Sequence, residues 1–171
     1  YDEETITQRI LQQTHETILD INLSALVNNV RYFRQLLSPT TLLTCMVKAF
    51  AYGTGSVEIS RALQDCGMVD YLAVAVADEG IELRKAGITL PIIVMDPEVA
   101  ALDLIIENNL QPNIYSLSVL DDIIHAAEAK GLEDLPIHIK IDSGMHRLGF
   151  YQEEIPALIE RLQQQKAVRV A

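Results

Sequence analysis

Two short runs of the chain carry residue types able to do chemistry. The first is Cys45-Met-Val-Lys-Ala-Phe-Ala-Tyr-Gly-Thr-Gly55. Strand alternation puts Leu42, Thr44, Met46 and Lys48 on one face, with Lys48 at the end of an otherwise apolar stretch. An amine at a strand's C-terminal end, over an apolar interior, is partly desolvated. Desolvation disfavours the ammonium and frees the amine for Schiff-base chemistry. Tyr52 lies four residues on, followed by Gly53 and Gly55 before a helix. That turn could bring a hydroxyl and backbone N–H groups toward a phosphate. The same letters also describe a snorkelling lysine beside an ordinary glycine turn.

The second run is Ile137-His-Ile-Lys-Ile-Asp-Ser-Gly-Met-His-Arg-Leu-Gly149. Its alternation is strict: Ile137, Ile139 and Ile141 face one way, His138, Lys140 and Asp142 the other. A charged row turned inward is costly unless it is paired or belongs to a site. Asp142 and Ser143 can bond the following loop through Gly144, and that loop delivers Arg147 near the strand's end. A guanidinium there suits a carboxylate or phenolate oxygen, because its donors form a planar fork.

The elements that must position these runs are a regular alternation. Strands are predicted at 42–48, 71–76, 91–95, 112–116, 137–143 and 167–171, with a further strand-like alternation at 17–22. Helices are predicted from about 23 to Pro39 and over 56–66, 78–86, 99–109, 118–130 and 152–165. Asn22 or Ser24, Asp78 and Ser118 are candidate N-caps; Gly67, Gly87 and Gly131 fit C-terminal ends. Apolar strands alternating with amphipathic helices imply a parallel α/β sheet, either doubly wound or a (β/α)8 barrel. The six strands, with the last running into Ala171, are expected to be the first six of such a barrel. The two chemical runs then follow strands one and five and open on one C-terminal face, where barrel enzymes keep their sites.

Composition narrows the partners. The chain has 171 residues, 49% hydrophobic, with 24 acidic and 13 basic side chains and a net charge of −11. That balance argues against nucleic acid or an anionic membrane as a partner. No apolar run approaches the length of a membrane span. Cys45 and Cys66 are too few for a disulfide framework and fit a reducing cytosol. His15, His125, His138 and His146 show no metal-ligand spacing, and no metal is expected. Cys45 faces away from Lys48 by parity and reads as core.

The run Val47-Lys-Ala-Phe-Ala-Tyr-Gly-Thr-Gly55 resembles the alanine racemase signature Val-Lys-Ala-Asn-Ala-Tyr-Gly-His-Gly. Lys140 to Gly149 resembles that family's fifth-strand motif, and Leu72 to Gly80 is similar as well. Phe50 and Thr54 stand where the family usually has Asn and His. The resemblance covers about 17–171. It implies a PLP-binding (β/α)8 TIM barrel of fold-type III. Residues 17–171 would be the N-terminal part of its barrel domain, incomplete at the C-terminus, and 1–16 a linker or leader from an upstream region.

It further implies pyridoxal 5'-phosphate as cofactor, alanine as substrate, a cytoplasmic homodimer and a supply of D-alanine for peptidoglycan. Lys48 would hold the cofactor as a Schiff base and act as one of two catalytic bases. Tyr52 would bond the cofactor phosphate. Arg147 would contact the cofactor's phenolic oxygen and the substrate carboxylate. Lys140 matches a position carbamylated in some members. The opposite base, a tyrosine from the partner subunit's C-terminal domain, lies outside these 171 residues, so the chain alone is expected to be inactive. The leader and the Lys-Ala-Phe variant resemble the racemase half of a fusion with a Mur ligase. Alternatives are a PLP-binding carrier protein of the same fold, or a broad-specificity amino-acid racemase or decarboxylase.

Overall fold

The computed structural model describes residues 17–171; the linker expected at 1–16 lies outside the described residues. Six parallel strands form one sheet in the order β1-β2-β3-β4-β5-β6. They are β1 (Thr44–Met46), β2 (Tyr71–Val74), β3 (Ile92–Val94), β4 (Gln111–Ile114), β5 (Leu135–Ile139) and β6 (Val168–Val170). The helices are α1 (Leu23–Leu36), α2 (Ser56–Asp65), α3 (Ala77–Lys85), α4 (Leu102–Glu107), α5 (Leu117–Ala129) and α6 (Ile155–Gln163). A doubly wound sheet reverses its strand order at a switch point. This order never reverses, which is the topology of a barrel wall.

Residue parity explains how the wall is built. The register aligns Thr44 with Tyr71, Ile93 with Gln111, and Asn113 with His138. The opposite parity, Leu72, Val74, Ile92, Val94, Ile114 and Ile137, is fully buried and belongs to the main apolar core with Leu83, Ile105, Leu120 and Ile123 of the helices. Each such side chain contributes about 1.5–3 kcal/mol by leaving water, so the helix-facing layer is the main source of stability. The other face, with Tyr71, Ile93, Gln111 and His138, is half-exposed.

Several boundaries differ from the sequence reading. Residues 17–22 form no strand; Ile18, Leu19 and Ile21 are exposed and pair with nothing among the described residues. Alternation there had no neighbouring strand to satisfy its backbone. Asn22 caps α1, accepting the Ala25 N–H at 2.9 Å. The cap of α5 is Ser116 rather than Ser118, through the Val119 N–H. Asp78 is not a cap; Val76 precedes α3 and Asp78 sits in its first turn, where a carboxylate meets the positive end of the helix. The helix predicted at 99–109 is a 3-10 turn, Val99–Ala101, followed by α4. The strand predicted at 137–143 starts two residues earlier and ends at Ile139.

Candidate functional site

Lys48 follows β1 after one residue. Within the strand the alternation is as expected: Thr44 and Met46 lie on the open face, while Cys45 and Val47 pack on the core; the strand ends before Lys48, which opens the following turn. Burial pushes the Cys45 thiol above its ordinary range, with Cys66 adding to the shift. A protonated, core-packed thiol is a poor nucleophile. Lys48 itself is half-buried.

The chain after Lys48 takes an unexpected form. Ala49, Phe50, Ala51 and Tyr52 all have φ between 50° and 58° and ψ between 36° and 51°, a left-handed helical turn. Left-handed geometry brings Cβ against the following carbonyl and costs about 1–2 kcal/mol per L-residue. Something must hold it. The Ala51 N–H bonds the Val47 carbonyl at 3.0 Å, and the Gly55 N–H bonds the Phe50 carbonyl at 3.0 Å. The Ala49 N–H donates to Oε1 of Glu79 at 2.7 Å, and the Ala75 N–H donates to Oε2 of the same carboxylate at 2.7 Å. The turn buries Ala51 and leaves Phe50 and Tyr52 about 59% and 66% exposed, so the Tyr52 hydroxyl is free to meet a ligand.

The second run leaves β5 and folds back on itself. The Phe150 N–H bonds the Lys140 carbonyl at 2.8 Å, and the Asp142 N–H bonds the Phe150 carbonyl at 3.0 Å. Phe150 is fully buried and pins the far end of the loop. Within it, Oδ1 of Asp142 accepts the N–H groups of Gly144 (2.9 Å) and His146 (3.0 Å), and Oδ2 lies 3.3 Å from the His146 ring. These amide bonds, Gly144 first, hold the Asp142 carboxyl below the usual carboxylate range. Arg147 is carried on this loop and is exposed. Lys140 is half-buried, and Asp142 is engaged by the loop instead of pairing with it.

Because the strands are parallel, the ends of β1 and β5 lie on the same end of the sheet. Lys48, Tyr52, Lys140 and Arg147 therefore share that end. No hydrogen bond or ion pair joins them to one another among the described residues. Deeper on the same face, Nε2 of His138 bonds Oε1 of Gln111 at 2.7 Å, and its ring meets Tyr71 edge-on at 5.8 Å. Burial lowers the His138 pKa and favours the neutral ring. An amine, a phenol and a guanidinium around one mouth suit an anionic ligand with an electrophilic carbon.

Two residues escaped the sequence reading. Glu79 had a signal, a glutamate at the third position of a helix, where it reaches back to orphan N–H groups. Arg84 had none. It donates to the carbonyls of Ile88, Leu90, Asn108 and Asn109, tying the approach to β3 to the approach to β4.

Residues 21–171 match the family described as alanine racemase, N-terminal domain. An alanine racemase from Methanococcus maripaludis is 41% identical over 145 residues, covering 82% of this chain and 38% of the relative. One from Synechocystis is 42% identical over 138 residues, covering 77% of this chain and 35% of the relative. The chain thus spans less than two-fifths of the length of these relatives. Among solved structures, alanine racemase from Clostridium difficile superposes with a TM-score of 0.77 at 38% identity, covering 87% of this chain and 38% of that one. That from Streptomyces lavendulae gives 0.81 at 31% identity, covering 88% and 40%. With the sequential parallel wall and both motif segments at one end of it, these likenesses establish that the chain belongs to the alanine racemase N-terminal domain family.

Proposed function

We propose that the full-length protein carrying this chain interconverts L-alanine and D-alanine with pyridoxal 5'-phosphate. The observation that carries the reading is the half-buried Lys48 at the C-terminal end of β1, on the same end of the sheet as the Arg147 loop. The donor set fits the cofactor: an amine for its aldehyde, the exposed phenol of Tyr52 for its phosphate, and the fork of Arg147 for its phenolic oxygen. When bound, the cofactor supplies an electron sink that weakens the α-carbon C–H bond of an amino acid.

The chain's own residues do the rest. The Lys48 Nζ would exchange the α-proton on one side of alanine, and inversion follows when a proton taken from one side is replaced on the other by a second base. The Tyr52 hydroxyl donates to a phosphate oxygen. Arg147 aligns the substrate carboxylate through two parallel N–H bonds. A carbamate on Lys140 would turn an unpaired half-buried cation into an anion able to orient Arg147. The second base, serving the opposite face, is a tyrosine of the partner subunit in a homodimer. The reading extends to a cytoplasmic enzyme that supplies D-alanine for peptidoglycan, joined in one polypeptide to an upstream Mur ligase.

The test is chiral analysis of alanine after incubating the full-length protein with pyridoxal phosphate and L-alanine. D-alanine is expected, and Lys48→Ala is expected to abolish it. Turnover of serine or lysine with no turnover of alanine would sink the substrate assignment.

A further inference from the structure

We propose that Glu79 is a positioning residue for Lys48: its carboxylate, bridging the N–H groups of Ala49 and Ala75, locks the left-handed turn that carries the lysine. The inference rests on the cofactor role proposed for Lys48 and adds a residue to which no role has been given.

Glu79 uses both oxygens, each at 2.7 Å, on two amides that lie far apart in sequence. Ala75 follows β2, and Ala49 is the first left-handed residue after β1. On the other side of Lys48, the Val47 N–H bonds the Ala73 carbonyl at 2.8 Å. The amides before and after Lys48 are therefore both tied to β2 or its end, and the lysine backbone is held between two fixed points. Glu79 is itself fixed in the first turn of α3, where the helix end favours a negative charge. The two N–H bonds are charge-assisted, so they are of the stronger kind. They oppose the strain of four consecutive left-handed residues, none of which is glycine. Glutamine cannot replace the bridge. Its one oxygen can serve one amide, while its NH2 group would face the other donor.

The experiment compares Glu79→Gln with the wild type in the full-length protein, with two readouts. The first is amide hydrogen exchange at Ala49 without cofactor. The second is the rate at which borohydride traps pyridoxal phosphate on Lys48. Loss of a charge-assisted bond should speed Ala49 exchange about tenfold or more and slow trapping by a similar factor. Protection in α5 should not change, and the melting temperature should stay within about 5 °C. Unchanged Ala49 exchange overturns the positioning role, whatever the cofactor does. Equal loosening of α5 also overturns it, since Glu79 would then support the fold at large. Absence of trapping on wild-type Lys48 instead defeats the cofactor reading, while faster Ala49 exchange in the variant would still place Glu79 as the clamp of the turn. Should Glu79→Gln fail to fold, Glu79→Asp takes its place. It keeps the charge but is one methylene too short to span both amides, and the same outcomes apply.

Discussion

Ala49, Phe50, Ala51 and Tyr52 occupy backbone geometry that side chains disfavour, and they do so directly after the lysine proposed to hold the cofactor. Strain of this kind persists where surrounding bonds over-determine it and clusters at functional sites. Ala49 has φ of 52° and is exposed, so Ala49→Gly should relieve strain without losing packing. We expect it to stabilise the protein by roughly 0.5–1 kcal/mol in chemical denaturation, where glycine in a right-handed helix would destabilise by a similar amount. Destabilisation would mean that the turn is not strained at this residue. Asp142 makes a second residue-scale case. Its folded pKa is depressed, so its contribution is fully present above the ordinary carboxylate value of 3.8 and fades as pH falls through the lower folded value. The Gly144 and His146 amide resonances should therefore titrate with a midpoint below 3.8. A midpoint at or above it would contradict the hydrogen bonds assigned to this carboxylate.

Individual elements show what the sequence could and could not convey. Most of the strands and the helices between them were legible, either as short apolar runs such as Ile92–Val94 or from an apolar period such as Leu120, Ile123 and Ile124 of α5. The parity of Cys45, and of Ile137 and His138 in β5, followed from strand alternation, but the rest of the predicted β5 row did not: the strand ends at Ile139, Ile141 is exposed and Asp142 is taken up by the loop. The left-handed turn was not legible, since Ala, Phe, Ala and Tyr carry no preference for positive φ. Nor was the hold of Arg84, whose carbonyl partners belong to two loops brought together by the fold alone. At this scale Arg84→Lys should destabilise by about 2–4 kcal/mol, because one ammonium cannot serve four carbonyls in a fixed fork. A denaturation midpoint equal to wild type would count against the clamp. Gly149 closes the loop after β5 at φ +126°, and a Cβ there would lie 2.6 Å from the Asp142 nitrogen. Gly149→Ala should destabilise by at least about 1–3 kcal/mol and loosen the Arg147 loop; full retention of stability would show that the loop can shift aside.

At the scale of the whole molecule, the sheet has a helix-covered side that is closed and an inner side that is half-exposed, with β1 and β6 at its edges. Unpaired edges and uncovered apolar surface favour association. The 171-residue chain expressed alone should therefore self-associate as its concentration rises, which light scattering would detect; a strict monomer at high concentration would contradict this. His138 faces that inner side with a pKa lowered by burial. A group with a depressed folded pKa stabilises above its unfolded value and loses that contribution as pH falls. Stability should thus decline as pH drops below about 6.5, and His138→Phe should flatten the decline. An unchanged pH profile in that variant would assign the dependence elsewhere. The family was legible in two runs of residues, yet the catalytic assembly was not, because it depends on how distant loops meet over the barrel mouth.

The central claim is that Lys48 carries the cofactor, and the most direct measurement is reductive trapping of pyridoxal phosphate followed by peptide mapping of the full-length protein. The account predicts a single modified lysine, Lys48, with the label lost in Lys48→Ala. Label on other lysines with none on Lys48, or no label at all, would contradict it.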